Sequence, residues 1–162
     1  MNKEQKFEAI FKSHYQKVFR LCKGYFTGNE ALAQDMAQEV FIKAWQHLDG
    51  FREDAKLSTW IYRITVNTCL SEKRKAVYKR EQTGVQFKEQ EQETFNEEKE
   101  KQLQALYQCI HKLQALDKMI IMLVLEAAAY TEIADVTGIK EASLRVRIHR
   151  IKKQLTKCVK ND

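Results

Sequence analysis

Residues 130–155 read YTEIADVTGIKEASLRVRIHRIKKQL, and they predict two short helices joined by a tight turn. Thr131 is a good N-cap, and Tyr130 before it can staple onto the first turn. Ile133, Ala134 and Val136 give a short helix its apolar side. Gly138 sits where a helix end needs a residue free to take positive φ, and Ile139 can pack in the corner. From about Glu141 a second helix repeats Leu144, Ile148, Ile151 and Leu155 at intervals of four, three and four. Its other face carries Arg145, Arg147, His149, Arg150, Lys152 and Lys153. Helix, glycine turn and basic amphipathic helix form a helix-turn-helix signature. The plainer alternative is a helical hairpin with a solvated basic face.

The rest of the 162-residue chain also predicts helices. Proline is absent and glycine numbers five, which leaves little with which to build the turns of a strand-rich fold. Good helix formers abound, so the expected class is all-α, in one domain or two small ones. The formal net charge is +6 and uneven: 13 basic and 9 acidic side chains in residues 1–75, 4 and 7 in 76–100, 11 and 6 in 101–162. Two basic blocks flanking an acidic one suggest two nucleic-acid-facing units on a tether. No apolar run reaches the roughly 20 residues that span a bilayer. The first ten residues, MNKEQKFEAI, are polar and predict no secretory signal. Cys22, Cys69, Cys109 and Cys158 then read as buried thiols of a reducing compartment. His14, His47, His111 and His149 do not join them at ligand spacings, so no metal site is expected.

Taken in order, residues 4–26 form a first helix with an aromatic core stripe, broken by Gly24, Gly28 and Asn29. Residues 30–48 form a second, burying Met36, Val40, Phe41, Ala44, Trp45 and Leu48. Its polar face, with Asp35, Gln38, Glu39 and Lys43, is either solvated or docked on a large partner. After a loop at 49–59, Ser58 or Thr59 caps a third helix from Trp60 to Lys79. That helix turns Trp60, Ile61, Ile64 and Cys69 inward, and Tyr62, Arg63, Asn67, Lys73, Arg74 and Lys75 outward. Rings, cations and amides together suit single-stranded nucleic acid; a basic helix C-terminus favoured by the macrodipole fits equally. Residues 80–100 are too polar to bury a core and read as a linker. Its acidity is either solvation or mimicry of nucleic acid in a positive channel. Leu103, Leu106, Ile110, Leu113 and Leu116 resume a helix, and Asp117 caps the next, from Lys118 to about Ala129.

Two stretches in this order resemble a known family. DMAQEVFIKAWQHLDGFREDAKLSTWIYRITVNTCLSEKR (35–74) resembles the sigma-2 signature of bacterial extracytoplasmic-function (ECF) sigma factors, group 4 of the sigma-70 family. Residues 130–155 resemble their sigma-4 signature. The resemblance implies a sigma-2 helical bundle at 1–79, a flexible linker at 80–100 and a sigma-4 helix-turn-helix bundle at 101–162. It implies a non-enzymatic monomer without cofactor or metal that brings core RNA polymerase to specific promoters and melts their −10 element. Asp35, Gln38, Glu39 and Trp45 match the surface that meets the β′ clamp helices, and the second unit would meet the β flap. Lys56, Trp60, Tyr62, Arg63, Asn67, Lys73 and Arg74 match the −10 reader. Lys140, Ser143, Arg145, Val146, His149 and Arg150 match the −35 reader, with Lys140 and Ser143 on phosphates. It further implies an anti-sigma factor and a cytoplasmic protein, which such a factor can hold at the inner membrane face.

The chain departs from the family pattern before Glu132. The usual glycine or small-polar turn is replaced by LEAAAYTEIA, so the turn is made without glycine. Glu141 stands where many members have a small residue, and either accepts from a cytosine amino group or caps the helix. Val146 replaces a commonly polar residue and suits a thymine methyl or plain packing. A rival reading is a free-standing dimeric helix-turn-helix regulator. An enzyme has little support, since no Ser/His/Asp set, metal set or glycine-rich phosphate loop appears.

Overall fold

A computed structural model describes residues 2–53, 56–83 and 97–161, of which 73–83 are described by backbone only. The described residues are helical apart from their turns. The order is α1 (Lys3–Tyr25), α2 (Glu30–His47), a 3-10 turn (Leu48–Gly50), α3 (Leu57–Thr83), α4 (Glu97–His111), α5 (Ala115–Leu125), α6 (Tyr130–Thr137) and α7 (Glu141–Asn161). The all-α expectation holds. α3 and α4 overlap the two ends of the expected 80–100 linker, whose residues 84–96 lie outside those described.

α1 starts from a capping box: the Asn2 side chain accepts from Gln5 N at 2.8 Å, and the Gln5 side chain accepts from Asn2 N. Gly24 does not break it. It lies in the last turn of α1, where an added Cβ would overlap the end of Met122, so it permits close approach of α5. The break is a Schellman closure, with Gly28 N donating to Lys23 O at 2.8 Å around Thr27 at φ 59°. Asn29 then caps α2 through Leu32 N.

The helices α1, α2 and α3 pack around Val18, Leu21, Ala37, Val40, Phe41, Ala44, Ile61 and Val66, all buried. Small Ala33, Ala37 and Ala44 let α2 approach its neighbours closely. Trp45, expected inside, is 36% exposed, because it falls at the open edge of that packing. The second group closes α4, α5, α6 and α7 around Ile110, Met119, Ile120, Leu123, Ile133, Leu144, Ile148 and Ile151. The two groups share one continuous core: α5 packs on α1 and α3, and α6 packs on α3.

Several expected caps fall differently. α3 begins at Leu57, so Ser58 and Thr59 lie within its first turn and turn their hydroxyls to Glu132. α5 begins at Ala115, so Asp117 lies inside it and pairs with Arg147 instead. α6 begins at Tyr130 with Ala129 at its N-cap position, so Thr131 does not cap. Gly138 does end α6 in the left-handed conformation, at φ 76°. The glycine-free turn after α5 is also a Schellman closure: Ala128 N donates to Leu123 O and Ala127 N to Val124 O, with Ala127 at φ 61°.

Cys22 and Cys69 are buried thiols, with their sulfurs 3.7 Å apart; the hydrogen bond with Cys22, and then burial, push the Cys69 thiol well up. Cys109 and Cys158, expected as thiols, are joined in a disulfide that ties α4 to the last turns of α7. The sequence gap of 49 residues hid the pairing.

Two stability outcomes follow from these closures. Ala127→Gly removes a side chain from a left-handed position and raises unfolding free energy by about 0.5–1 kcal/mol in urea titration. Closing a loop of 49 residues stabilises by up to about 4 kcal/mol on chain entropy. Reductant therefore lowers the wild-type thermal midpoint but leaves that of Cys158→Ser, already lower, unmoved.

Candidate nucleic-acid and partner interfaces

The orientation of α7 follows from its buried stripe. Leu144, Ile148, Ile151 and Leu155 are all buried against the second group. That fixes which residues face out: Lys140, Ser143, Arg145, Val146, His149 and Arg150 are all exposed. Val146 is 62% exposed, so it does no packing and presents an apolar tip to whatever the helix meets. The structure brings Ser143, Arg145, Val146, His149 and Arg150 together along one side of α7, with Lys140 just before its first residue.

Arg147 leaves the set. Its Nε donates to Asp117 Oδ1 at 2.6 Å, with both side chains largely covered, which ties α7 to α5. Glu141 accepts from Arg145 Nη2 at 2.8 Å, one helical turn on. The Arg145 guanidinium also sits 5.3 Å from the centre of the Tyr130 ring. Glu141 is thus partly neutralised by its own helix. Further along, His149, Lys152, Lys153, Thr156, Lys157 and Lys160 line an open basic trough. Lys157 and Lys160 escaped the sequence reading, although 149, 153, 157 and 160 continue one helical stripe.

On α2, Asp35 and Gln38 are exposed, and Glu39 is half-buried beside Lys43 at 3.5 Å. Lys43 reaches on to the Thr68 hydroxyl, so Glu39 is partly engaged. Gln38 and Trp45 line an aromatic trough with Phe7, Phe11, Tyr15, Phe41, Ile42 and Gln34. Asp35 and Glu39 do not line it. Phe7 meets the Trp45 ring edge-on at 5.4 Å, and the Lys3 ammonium sits 4.2 Å from the centre of that ring. Phe11 is 39% exposed, so part of the stripe expected as core is surface.

The α3 set divides. Lys56 and Asn67 are exposed. Trp60 is half-buried, its ring 4.8 Å from that of Phe51. Tyr62, expected outside, is buried, and burial pushes its hydroxyl pKa up, helped by nearby Glu132 and Glu126. Arg63 is exposed but donates through Nη2 to the Asp135 carbonyl at 2.8 Å. The side chains of Lys73 and Arg74 lie outside those described. Sequence periodicity missed the Tyr62 burial because its surroundings come from distant elements: Glu132 on α6, Glu126 after α5 and Arg20 on α1 all lie near it. Among the described residues, no group of three or more His, Cys, Asp or Glu is placed to hold a metal ion, and no helix is long and apolar enough to cross a membrane.

Residues 10–77 match the model for sigma-70 region 2, and residues 103–155 that for sigma-70 region 4. The chain is 39% identical over 69 residues to the ECF RNA polymerase sigma factor SigW of Bacillus subtilis, covering 43% of this chain and 36% of that protein. It is 38% identical over 65 residues to the ECF RNA polymerase sigma-E factor of Escherichia coli K12, covering 40% and 33%. The match thus spans about a third of the length of these relatives. The fold resembles that of the sigma factor RpoE of Bartonella quintana, solved with the anti-sigma factor NepR (TM-score 0.69, 20% identity, 98% and 97% of the two chains). It also resembles CnrH, solved with the cytosolic domain of CnrY (TM-score 0.72, 20% identity, 98% and 90%).

The two arginine classes on α7 separate in a stability measurement. Arg147→Ala strands a largely covered carboxylate and lowers unfolding free energy by about 1–2 kcal/mol. Arg150→Ala, on the open side, changes it by less than about 0.5 kcal/mol. Urea titration followed by circular dichroism reads both.

Proposed function

The chain belongs to the ECF branch of the sigma-70 family, and from that premise we propose that it directs core RNA polymerase to a subset of promoters and promotes melting at their −10 element. The observation that carries this reading is the ordered pair of regions, 2 then 4, on one chain whose α7 presents an open basic side. A free-standing dimeric regulator accounts for the helix-turn-helix but not for the region 2 match over 10–77.

In this proposal residues 1–79 form the polymerase- and −10-binding unit, 80–100 the tether and 101–162 the −35-binding unit. α7 enters the duplex major groove. Arg145, His149 and Arg150 face base edges, Val146 suits a thymine methyl, and Lys140 and Ser143 meet phosphates. Lys153, Lys157 and Lys160 extend the phosphate contacts along the same stripe. Lys56, Trp60, Tyr62, Arg63, Asn67, Lys73 and Arg74 serve the single strand. An extruded base costs a few kcal/mol of unstacking, which ring stacking and cation–phosphate contacts offset. Gln38 and Trp45, with Asp35 and Glu39 on the flank, form the face for the β′ clamp helices; the second unit meets the β flap. The protein acts as a monomer in the cytoplasm, without chemistry of its own, under the control of an anti-sigma factor.

Mixing the chain with core polymerase and sequencing the transcripts tests the proposal; promoter-specific starts are expected, and their absence would sink it. On a promoter so found, Arg150→Ala weakens binding by about 1–3 kcal/mol with relaxed specificity at one −35 position. Lys157→Ala weakens all sequences alike and reduces the salt slope by about 1.

A further inference from the structure

Of the three α7 side chains placed against base edges, Arg145 alone is held from two directions. Its Nη2 donates to Glu141 Oε1 at 2.8 Å, one turn back along the helix. Its guanidinium carbon stands 5.3 Å from the centre of the ring of Tyr130, the first residue of α6. Each holder is itself fixed. Tyr130 packs against the core, and its hydroxyl accepts from Lys152 Nζ at 3.4 Å. Glu141 is the first residue of α7, where the positive end of the helix dipole steadies a carboxylate. At 3.6 residues per turn, positions 141, 145 and 152 fall within about 40° of one another, so Tyr130 lies along one shoulder of α7. His149 and Arg150 are also exposed, and among the described residues neither has a hydrogen bond, ion pair or ring contact.

The hold leaves the reading end of Arg145 open. Among the described residues its Nε and Nη1 have no hydrogen-bond partner. The commonest specific use of a guanidinium fork is a two-pronged pair with O6 and N7 of guanine in the major groove. An untethered arginine gives up rotamer freedom to make that pair, and one already held gives up less.

We propose that Glu141 and Tyr130 are positioning residues that set the base preference of Arg145. They hold its fork for a guanine at one base pair of the −35 element, and Glu141 acts through Arg145 without touching a base. The proposal rests on the sigma-factor reading for what α7 meets; the hold is a property of the chain alone. The Glu141 carboxylate then has two opposed effects. Its charge repels phosphates and weakens binding to every sequence. Its bond to Arg145 sharpens the choice among sequences. A Glu141 that accepted from a cytosine amino group would sharpen the choice too, but with no need of Arg145.

Two measurements test this. On the free full-length chain, 15N relaxation of the arginine Nε–H groups is expected to show Arg145 ordered and Arg150 mobile. Glu141→Ala makes Arg145 as mobile as Arg150, whereas Glu141→Gln, whose carbonyl still accepts, leaves it ordered. An Arg145 as mobile as Arg150 in the wild type overturns the proposal. The second measurement uses holoenzyme reconstituted with core polymerase, on a promoter found by transcript mapping and randomised over its −35 base pairs. Sequencing of the transcripts is expected to show that Glu141→Ala lowers the guanine preference at one base pair by about five-fold or more, while output summed over all sequences holds or rises. Glu141→Gln keeps the preference, which separates the acceptor from the charge. In an Arg145→Ala chain, Glu141→Ala moves the preference no further. A preference that survives Glu141→Ala overturns the proposal. So does a loss as large without Arg145 as with it, which assigns Glu141 to a base of its own. If the wild type starts no promoter-specific transcripts, the sigma-factor reading falls and the proposed role with it, while the relaxation measurement still decides whether Arg145 is held.

Discussion

The structure turns on the burial of α5. Residues Met119 to Leu123 are buried in succession, with Lys118 before them. Five consecutive buried positions cannot belong to one face of a helix, so α5 must be covered on every side. α1 and α3 supply one wall, α4, α6 and α7 the other. The second group would leave part of that surface in water if it stood alone, which is why the two share a core. At Gly24 the approach is close, and a side chain there on α1 would collide with Met122. α5 also sets the orientation of α7, because Asp117 in its first turn holds Arg147.

How much could be read from the sequence depends on the range of the interaction. Elements defined by periodicity emerge within a residue or three: α1, α2 and the α6–α7 pair, with Gly138 at its turn. The buried stripe of α7 is the one its spacing predicts, and with it the outward residues. What sequence spacing could not supply are pairings across long separations. Thr59 is a good N-cap residue, but Glu132 takes its hydroxyl. Arg147 looks like any other cation on a basic helix, but Asp117 takes it. Tyr62 has a polar tip and a surface register, yet tertiary packing buries it. Cys109 and Cys158 meet only because α4 and the end of α7 run side by side. Each miss is a local preference overridden by a tertiary partner.

The departure from the family pattern before α6 has a physical resolution of the same kind. The turn that usually contains a glycine or small polar residue closes here on Ala127 in the left-handed region. A methyl group there costs about 1–2 kcal/mol, and the two Schellman hydrogen bonds and the packing of α5 against α6 over-determine the conformation. Glu141 is resolved locally as well. Its carboxylate is engaged by Arg145, and a negative charge in the first turn of α7 meets the positive end of the helix dipole. The pair also holds Arg145 near Tyr130, which restricts the rotamers open to the arginine.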